Sequence, residues 1–345
     1  MSIDPRLVRK IAAVMAAGGP DVSREMAQAL AADLHSAARQ AVSVVGELTG
    51  LTQGAKSAGE IPVYVLDRPG WAYAAAQSFA QMSEAHGASI PGVNSWGVGA
   101  GTAVLSRLIL GQFDPFTPAE PAAVAPLAAS RGVADIGSSA DVEAAGIATS
   151  VRGRLLLNAP NIASFREKFN LDQRDLCLWV CVHELTHAVQ FAAAPWLRGY
   201  IVKRFLEVIN DPDENGALDS PPAQELNTAM SVLEGHAEFV MNAVDLAQMP
   251  SKERLISAMN ERRSERRPLA AYFVQWLGFD KKMEQYRTGA HFVRQVIESA
   301  SMEAANLLWR GEEFLPSAVE LGDPARWLER VAPCSERAAD EADER

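Results

Sequence analysis

Apolar residues recur every three or four positions along much of the chain, a spacing typical of helices that pack on a core. This spacing predicts long Ala-rich helices over residues 5–56. Two short runs predict strands instead: Ile61–Leu66, which is rich in β-branched and aromatic residues, and the apolar run Arg154–Asn158. Gly, Asp and Pro at residues 111–115 predict a break after the apolar helix Val104–Leu110. The pattern as a whole predicts a mainly α protein with a small β-sheet.

The second half of the chain shows the same helical spacing in better bounded segments. One helix is predicted between Asp172, whose side chain can cap the first turn, and Pro195, which ends it. Another is predicted from Gln224 to about Met249, after an acidic, turn-rich loop at residues 210–222. A last long helix is predicted to end near Trp309.

The sequence divides into three predicted regions. Residues 1–150 are expected to form a mostly helical region with short strands, including a weak strand pattern at Gly132–Ile136. Residues 151–332 contain the metal motif described below and are expected to form one continuous globular unit with the first region. Residues 333–345 are rich in Ala, Asp and Glu, and so we expect a disordered tail.

Composition excludes several classes of protein. Of the 345 residues, 48% are hydrophobic, which is enough for a sizeable core. The formal net charge is −11, and without a basic stripe the chain is a poor partner for nucleic acid or an anionic membrane. The first residues lack the apolar stretch of a signal peptide, and no uninterrupted run of about 20 apolar residues follows. We therefore expect a soluble, cytoplasmic protein, whose oligomeric state the sequence does not reveal.

Three glycines at alternate positions, Gly97, Gly99 and Gly101, have the look of a phosphate-binding loop. A dinucleotide fingerprint needs its glycines directly after a strand and an acidic residue about 20 positions later. That context is missing, and so we expect glycines that allow close packing of helices.

The stretch Trp179–Phe191 carries the clearest chemistry, because it contains His183-Glu184-Leu-Thr-His187. On a helix, positions i and i+4 lie one above the other, with Cβ atoms about 6 Å apart. Both imidazoles can therefore bind one zinc ion at about 2.0–2.1 Å. Glu184 lies about 100° round the helix from His183, where it can reach a water on the metal. Two nitrogen ligands beside a general base predict Zn²⁺ as the cofactor and hydrolysis as the reaction.

The alternative is a helix with two surface histidines and no metal. The motif arises by chance in roughly one chain in a hundred of this length. Leu176, Trp179 and Val180 fall on the same side of the helix as both histidines. The imidazoles should therefore face the interior, where unpaired polar groups are costly and a metal ion gives them a partner.

Only three cysteines occur, Cys177, Cys181 and Cys334. An odd, low number argues against a disulfide framework. Cys177 and Cys181 share the i,i+4 spacing of a metal pair, but they lie about 120–160° round the helix from His183. We expect them to be small buried thiols that point away from the metal.

Two histidines do not complete a zinc site, and the candidates for a third ligand are Glu234, His236 and Glu238 in one predicted helix. Glu234 and Glu238 share a face, whereas His236 points about 200° away from Glu234. The helix can thus present either its carboxylates or its imidazole to the metal. A third possibility is that these polar residues are only solvated and bind no metal. The segment Glu234-Gly-His-Ala is similar to the Glu-Gly-Phe-Ala segment of one-zinc aminopeptidases. That resemblance favours Glu234 as the ligand. Glu238, one turn further along the helix, would then orient a histidine ring.

Several segments together resemble one family in the same order along the chain: Val44–Leu51, Leu110–Asp114, Asn158–Ile162, Trp179–Arg198, Glu234–Ala237, Gln285–Gly289, Leu315–Pro316 and Trp327–Val331. The family is an uncharacterised one of zincin-like metallopeptidases, type 2, often labelled as associated with biosynthesis of a deazaflavin coenzyme. The resemblance spans nearly the whole chain. It implies a mainly helical, zincin-like architecture with a small sheet, and it implies neither a substrate nor binding of the coenzyme.

The favoured hypothesis is a zinc metallopeptidase that acts on peptides or proteins. His183, His187 and Glu234 would hold the metal, and Glu184 would be the general base. Two alternatives stay open: a zinc hydrolase of a non-peptide amide or ester, and a non-catalytic helical module stabilised by zinc. Exo- and endopeptidase action are not distinguished.

Two further elements are candidates for substrate contacts. Zinc peptidases stabilise the oxyanion with a Tyr, His or Arg donor, and Tyr286 and His291 are candidates, of which Tyr286 is preferred as a catalytic residue. In zincin folds a strand edge beside the active-site helix often holds the substrate in extended form. The strand Arg154–Asn158 precedes the motif helix; a plain core strand is the favoured interpretation, and a substrate edge of this kind is the alternative.

Overall fold

The computed structural model describes residues 4–16, 19–85, 95–117, 153–210, 220–265 and 286–332. Its helices are α1 Pro5–Met15, α2 Arg24–Thr49, α3 Thr52–Ala58, α4 Arg68–Ala85, α5 Ser95–Leu105, α6 Ala159–Phe169, α7 Gln173–Ala193, α8 Trp196–Asn210, α9 Pro221–Ala243, α10 Lys252–Glu265, α11 Tyr286–Ser299, α12 Met302–Ala305, α13 Ala318–Gly322 and α14, residues 324–332. The strands are β1 Val63–Leu66, β2 Gly111–Asp114 and β3 Arg154–Asn158. The predicted class, mainly α with a small sheet, is confirmed.

Helix α7, which carries the His-Glu-x-x-His motif and is called the motif helix below, runs through the centre of the molecule. The carboxylate of Asp172 caps it by accepting a hydrogen bond from Asp175 N (2.9 Å), as predicted. It packs against α2, α3 and α9. Within the described part of the chain, it is the one helix long and apolar enough to cross a membrane, but 72% of its apolar window is buried inside the fold. An all-round apolar sequence is what a helix at the centre of a core requires.

The sheet has the order β1-β3-β2, so β3 is its central strand. All five residues of β3 are buried. It pairs in parallel with β1, with Val63 opposite Leu155, and antiparallel with β2, with Gly111 opposite Leu157. The favoured interpretation of β3 as a core strand is therefore confirmed, and the alternative, a free edge for substrate, is wrong.

Strand β2 lies where the sequence predicted only a break. Four residues with a Gly at one end and a Pro directly after them carry no strand pattern of their own, and the strand exists because it pairs with β3. A buried ion pair fixes its end: Arg154 Nε donates to Asp114 Oδ2 at 2.9 Å, with both side chains at most 5% exposed. Asp114 Oδ1 also accepts from the Ser78 hydroxyl at 2.7 Å. Such a buried pair is tolerated when further hydrogen bonds satisfy it.

Helix α9, which carries Glu234 and is called the ligand helix below, crosses α11 at unusually close range. A Cβ built on Gly289 would lie 1.9 Å from Ser231 O, and one built on Gly235 would lie 2.3 Å from the Gly289 carbonyl carbon. Only glycines allow the two backbones to approach so closely. The contact at Gly235, the residue directly after Glu234, therefore fixes the position of the ligand helix.

Glycine also serves packing in α5, as predicted. A Cβ on Gly99 would lie 2.8 Å from Ile11 Cδ1, so α5 rests tightly on α1. Three helix ends differ from prediction: the ligand helix ends at Ala243 rather than near Met249, α11 ends at Ser299 rather than near Trp309, and α5 ends at Leu105 rather than at Leu110. In the first case Lys252 Nζ donates to the carbonyls of Asn242 and Val244 and so caps the end of the helix.

The sheet joins β1 and β2, from the first predicted region, to β3, from the second. The predicted boundary between the first and second regions, near residue 150, nevertheless stays a prediction. The strand pattern at Gly132–Ile136 and the tail at residues 333–345 lie outside the described residues.

Candidate metal centre

The two motif histidines lie one turn apart on α7, as their spacing requires. Their ring centroids are 4.8 Å apart, and the rings are nearly perpendicular, at 85°. The side chains are 25% exposed for His183 and 13% exposed for His187. Both rings are therefore mostly buried and still partly accessible to solvent.

Glu234 reaches the same point from the ligand helix. Its Oε2 lies 3.7 Å from His183 Nε2, and its Oε1 lies 3.5 Å from His187 Nε2. One ligand atom from each of the three residues lies within 4.8 Å of the other two. The predicted trio is thus brought together by packing of α7 on α9.

These distances suit a zinc ion. Ligands about 2.0–2.1 Å from a tetrahedral ion lie roughly 3.3 Å from one another, close to the 3.5 and 3.7 Å between the carboxylate and the two Nε2 atoms. Two imidazoles and a carboxylate are also the donor set of catalytic zinc sites that keep a fourth position open. The residues present fit the metal that the motif predicts.

His236, the competing candidate for third ligand, lies elsewhere. It is fully buried on the ligand helix, with its ring centroid 5.1 Å from that of Trp309. Its Nδ1 faces Gln190 Nε2 at 3.0 Å. Burial lowers its pKa to about 3, with a contribution from His187, so the ring is neutral. The structure therefore brings Glu234, and not His236, to the two histidines.

Glu184 is buried beside strand β2, 7% exposed. Its Oε2 accepts a hydrogen bond from Phe113 N at 2.9 Å. A Cβ on Gly111 would lie 2.8 Å from Glu184 Cγ, so only glycine leaves room for the side chain there. Burial raises the pKa of Glu184 to about 7, against the influence of His187, with Glu234 adding to the rise and the Phe113 N–H opposing it.

The outer edge of β2 faces the motif helix. The Leu110 carbonyl accepts from Asn158 N at 2.8 Å, so alternate residues of β2 bond to β3 and those between them face away. Gly111 and Phe113 are the outward-facing residues, in agreement with the Phe113–Glu184 bond. The sequence offered β3 as an alternative for an edge beside the motif helix, and the short run that forms β2 showed no strand pattern.

Gln190 is a second group that the sequence analysis missed. It is fully buried, and its Oε1 lies 2.8 Å from His187 Nδ1. Its position three residues after His187 on a predicted helix was the available signal, since i and i+3 share a face.

The remaining predicted residues lie as follows. Tyr286 is the first residue of α11, and its side chain is outside the described part of the structure. Glu238 lies one turn beyond Glu234 and is partly buried, and its role stays a prediction. His291 is exposed. Cys177 and Cys181 are buried free thiols, as expected, and Cys181 Sγ faces Leu34 O of α2 at 3.7 Å.

Comparison with known proteins agrees with this geometry. A family model described as zincin-like metallopeptidase matches residues 3–220 and 221–328. A solved structure from Chloroflexus aurantiacus, described as a proposed hydrolase with a novel fold, aligns with a TM-score of 0.66 at 23% identity, over 96% of this chain and 99% of its own. At that identity the likeness shows the fold alone. No curated protein matches the chain. The association with a deazaflavin coenzyme is not shown by these matches.

Proposed function

Because the chain belongs to the zincin-like metallopeptidase family, we propose that it is a zinc-dependent peptidase that hydrolyses peptide bonds with water. The observation that carries the proposal is that two helices and one strand bring four functional side chains close together. The motif helix supplies His183 and His187, the ligand helix supplies Glu234, and β2 holds Glu184 beside them.

His183, His187 and Glu234 would hold the metal. A zinc ion bound there would polarise the scissile carbonyl and make the attacking water more acidic. Glu184 accepts the proton of that water as it attacks the carbonyl carbon. The same carboxyl then gives the proton to the nitrogen of the leaving amine as the C–N bond breaks, which returns Glu184 to its starting state.

A peptide substrate would lie along the outer edge of β2. Extended peptides add to exposed strand edges through main-chain hydrogen bonds. The N–H of Phe113 is already bonded to Glu184, which leaves the N–H and C=O of Gly111 and the C=O of Phe113 for the substrate. Gly111 is partly exposed and lies against the side chain of Glu184, the proposed general base.

Tyr286 is the proposed oxyanion donor. Its support is the course of α11, which begins at Tyr286 and reaches Gly289 one turn later, where the backbone touches the ligand helix at Ser231. Tyr286→Phe should lower kcat and leave zinc binding intact, because the hydroxyl would act on charge that develops in the transition state.

The proposal is tested with purified protein by metal analysis and by cleavage of an unbiased peptide library. Wild type should bind zinc and cleave peptides, and Glu184→Gln should bind zinc equally and cleave at least about 100-fold more slowly, the lower range for loss of a general base. Cleavage by Glu184→Gln at the wild-type rate would refute the role of Glu184. Turnover of small amides or esters with no peptide cleavage would point to the non-peptide hydrolase.

A further inference from the structure

The amide of Gln190 makes three hydrogen bonds, all in a fully buried place between the motif helix and the ligand helix. Its Oε1 lies 2.8 Å from His187 Nδ1. Its Nε2 lies 3.0 Å from Leu233 O and 3.0 Å from His236 Nδ1. A primary amide has two N–H donors, and both of them are used.

The Leu233 carbonyl decides which way the amide faces. A carbonyl oxygen can only accept, so the amide nitrogen must lie on its side and the amide oxygen must face His187. An amide oxygen can also only accept, and so His187 must carry a hydrogen on Nδ1. In the neutral ring this leaves Nε2 unprotonated, and Nε2 is the atom 3.5 Å from Glu234 Oε1.

The same amide ties the carboxylate to the histidines. Leu233 and His236, which accept its two N–H groups, lie on either side of Glu234 along the ligand helix. His236 is itself held by its ring contact with Trp309. A shift of α9 along α7 would break both bonds and move Glu234 away from the histidines.

We propose that Gln190 is the positioning residue of the metal centre: it fixes His187 as the Nδ1–H tautomer, with Nε2 free for metal, and it sets the position of Glu234 relative to both histidines. The inference rests on the proposed function only in taking these three residues as the metal site. Without an acceptor at Nδ1, the hydrogen of His187 can move to Nε2, where it blocks a metal. A purely structural glutamine would affect stability and leave the tautomer and the metal affinity unchanged.

The first test needs neither metal nor activity. In metal-free wild type labelled with ¹⁵N at histidine, the long-range ¹H–¹⁵N spectrum reports which ring nitrogen carries hydrogen, and a His187→Asn sample assigns the signal. We expect the Nδ1–H form for His187. A wild-type spectrum with the hydrogen on Nε2 overturns the proposal, whatever the variants do.

The second test compares two substitutions by zinc competition against a chromogenic chelator. Gln190→Leu removes all three bonds and should weaken zinc binding about 10–100-fold, the range for loss of a group that orients a metal-binding histidine. Gln190→Glu keeps an acceptor for His187 and should keep the Nδ1–H form and bind zinc more tightly than Gln190→Leu. Wild-type zinc affinity in folded Gln190→Leu would contradict the proposal. A protein that binds zinc tightly but cleaves no peptide would instead count against the peptidase and leave this inference standing.

Discussion

The motif helix and the elements that come to it contribute to the site in different ways. Helix α7 carries His183, Glu184, His187 and Gln190 within eight residues, and its own geometry aligns the two metal-binding rings. Glu234 and strand β2 come from elsewhere in the sequence, and their positions depend on packing: on the Gly235–Gly289 crossing in one case and on pairing with β3 in the other. Local sequence can thus specify ligands, whereas the completed site depends on where distant elements are held.

The largest effect should come from the ligand that packing supplies. Glu234→Ala should lower zinc affinity more than the 10–100-fold expected for a residue that only orients a ligand, because one of three protein donors is lost. His236→Asn is the matched comparison, two residues away on the same helix. It removes no proposed metal ligand, and its amide oxygen can still accept from Gln190, so it should weaken zinc binding far less than Glu234→Ala does. Zinc affinity is measured by chelator competition and by the rise in Tm on adding zinc, which reflects a gain in unfolding free energy of about 2.7 kcal/mol when free zinc is 100 times Kd.

The opposite pattern, in which His236→Asn loses zinc while Glu234→Ala retains it, would make His236 the third ligand in place of Glu234. The ligand helix would then present its other face to the histidines.

A smaller effect should follow from crowding the general base. Gly111→Ala would place a methyl carbon 2.8 Å from Glu184 Cγ and displace the carboxylate. Misplacement by about 1 Å can cost 100-fold in rate, so we expect kcat to fall roughly 100-fold with zinc affinity unchanged. Gly199→Ala is the control, since an added Cβ there meets nothing within 4 Å. Equal activity in both variants would show that β2 does not position Glu184.

The smallest effect on the rate of hydrolysis should come from a substitution where α11 crosses the ligand helix. Gly289→Ala would force apart the backbones of α11 and the ligand helix, and overpacking of this kind costs about 1–3 kcal/mol or more. Gly322→Ala, at an unobstructed position, is the control. Chemical denaturation should show the difference in unfolding free energy. A lowered zinc affinity in folded Gly289→Ala would also show that the crossing sets the position of Glu234, whereas a stability equal to that of the control would contradict the close contact.

The sequence predicted the features that depend only on residues close together along the chain. Asp172 and Pro195 bound the motif helix, and the i,i+4 histidines follow from helical spacing. The choice between Glu234 and His236 stayed open on geometry alone, because it depends on how the ligand helix is rotated against α7. The apolar run of β3 was correctly interpreted as a core strand, whereas β2 was missed because its four residues have no strand pattern without their partner. The sequence shows that Gln190 lies three residues after His187, on the same helix face. Its role could not be predicted, because it depends on the Leu233 carbonyl of the ligand helix.

The most direct test of the central claim is a crystal of the zinc-loaded protein measured at the zinc absorption edge. We predict one anomalous peak about 2.0–2.2 Å from His183 Nε2, His187 Nε2 and a Glu234 carboxylate oxygen, with a fourth position that holds no protein atom. A peak bound by His236, or one with four protein ligands, would contradict this prediction.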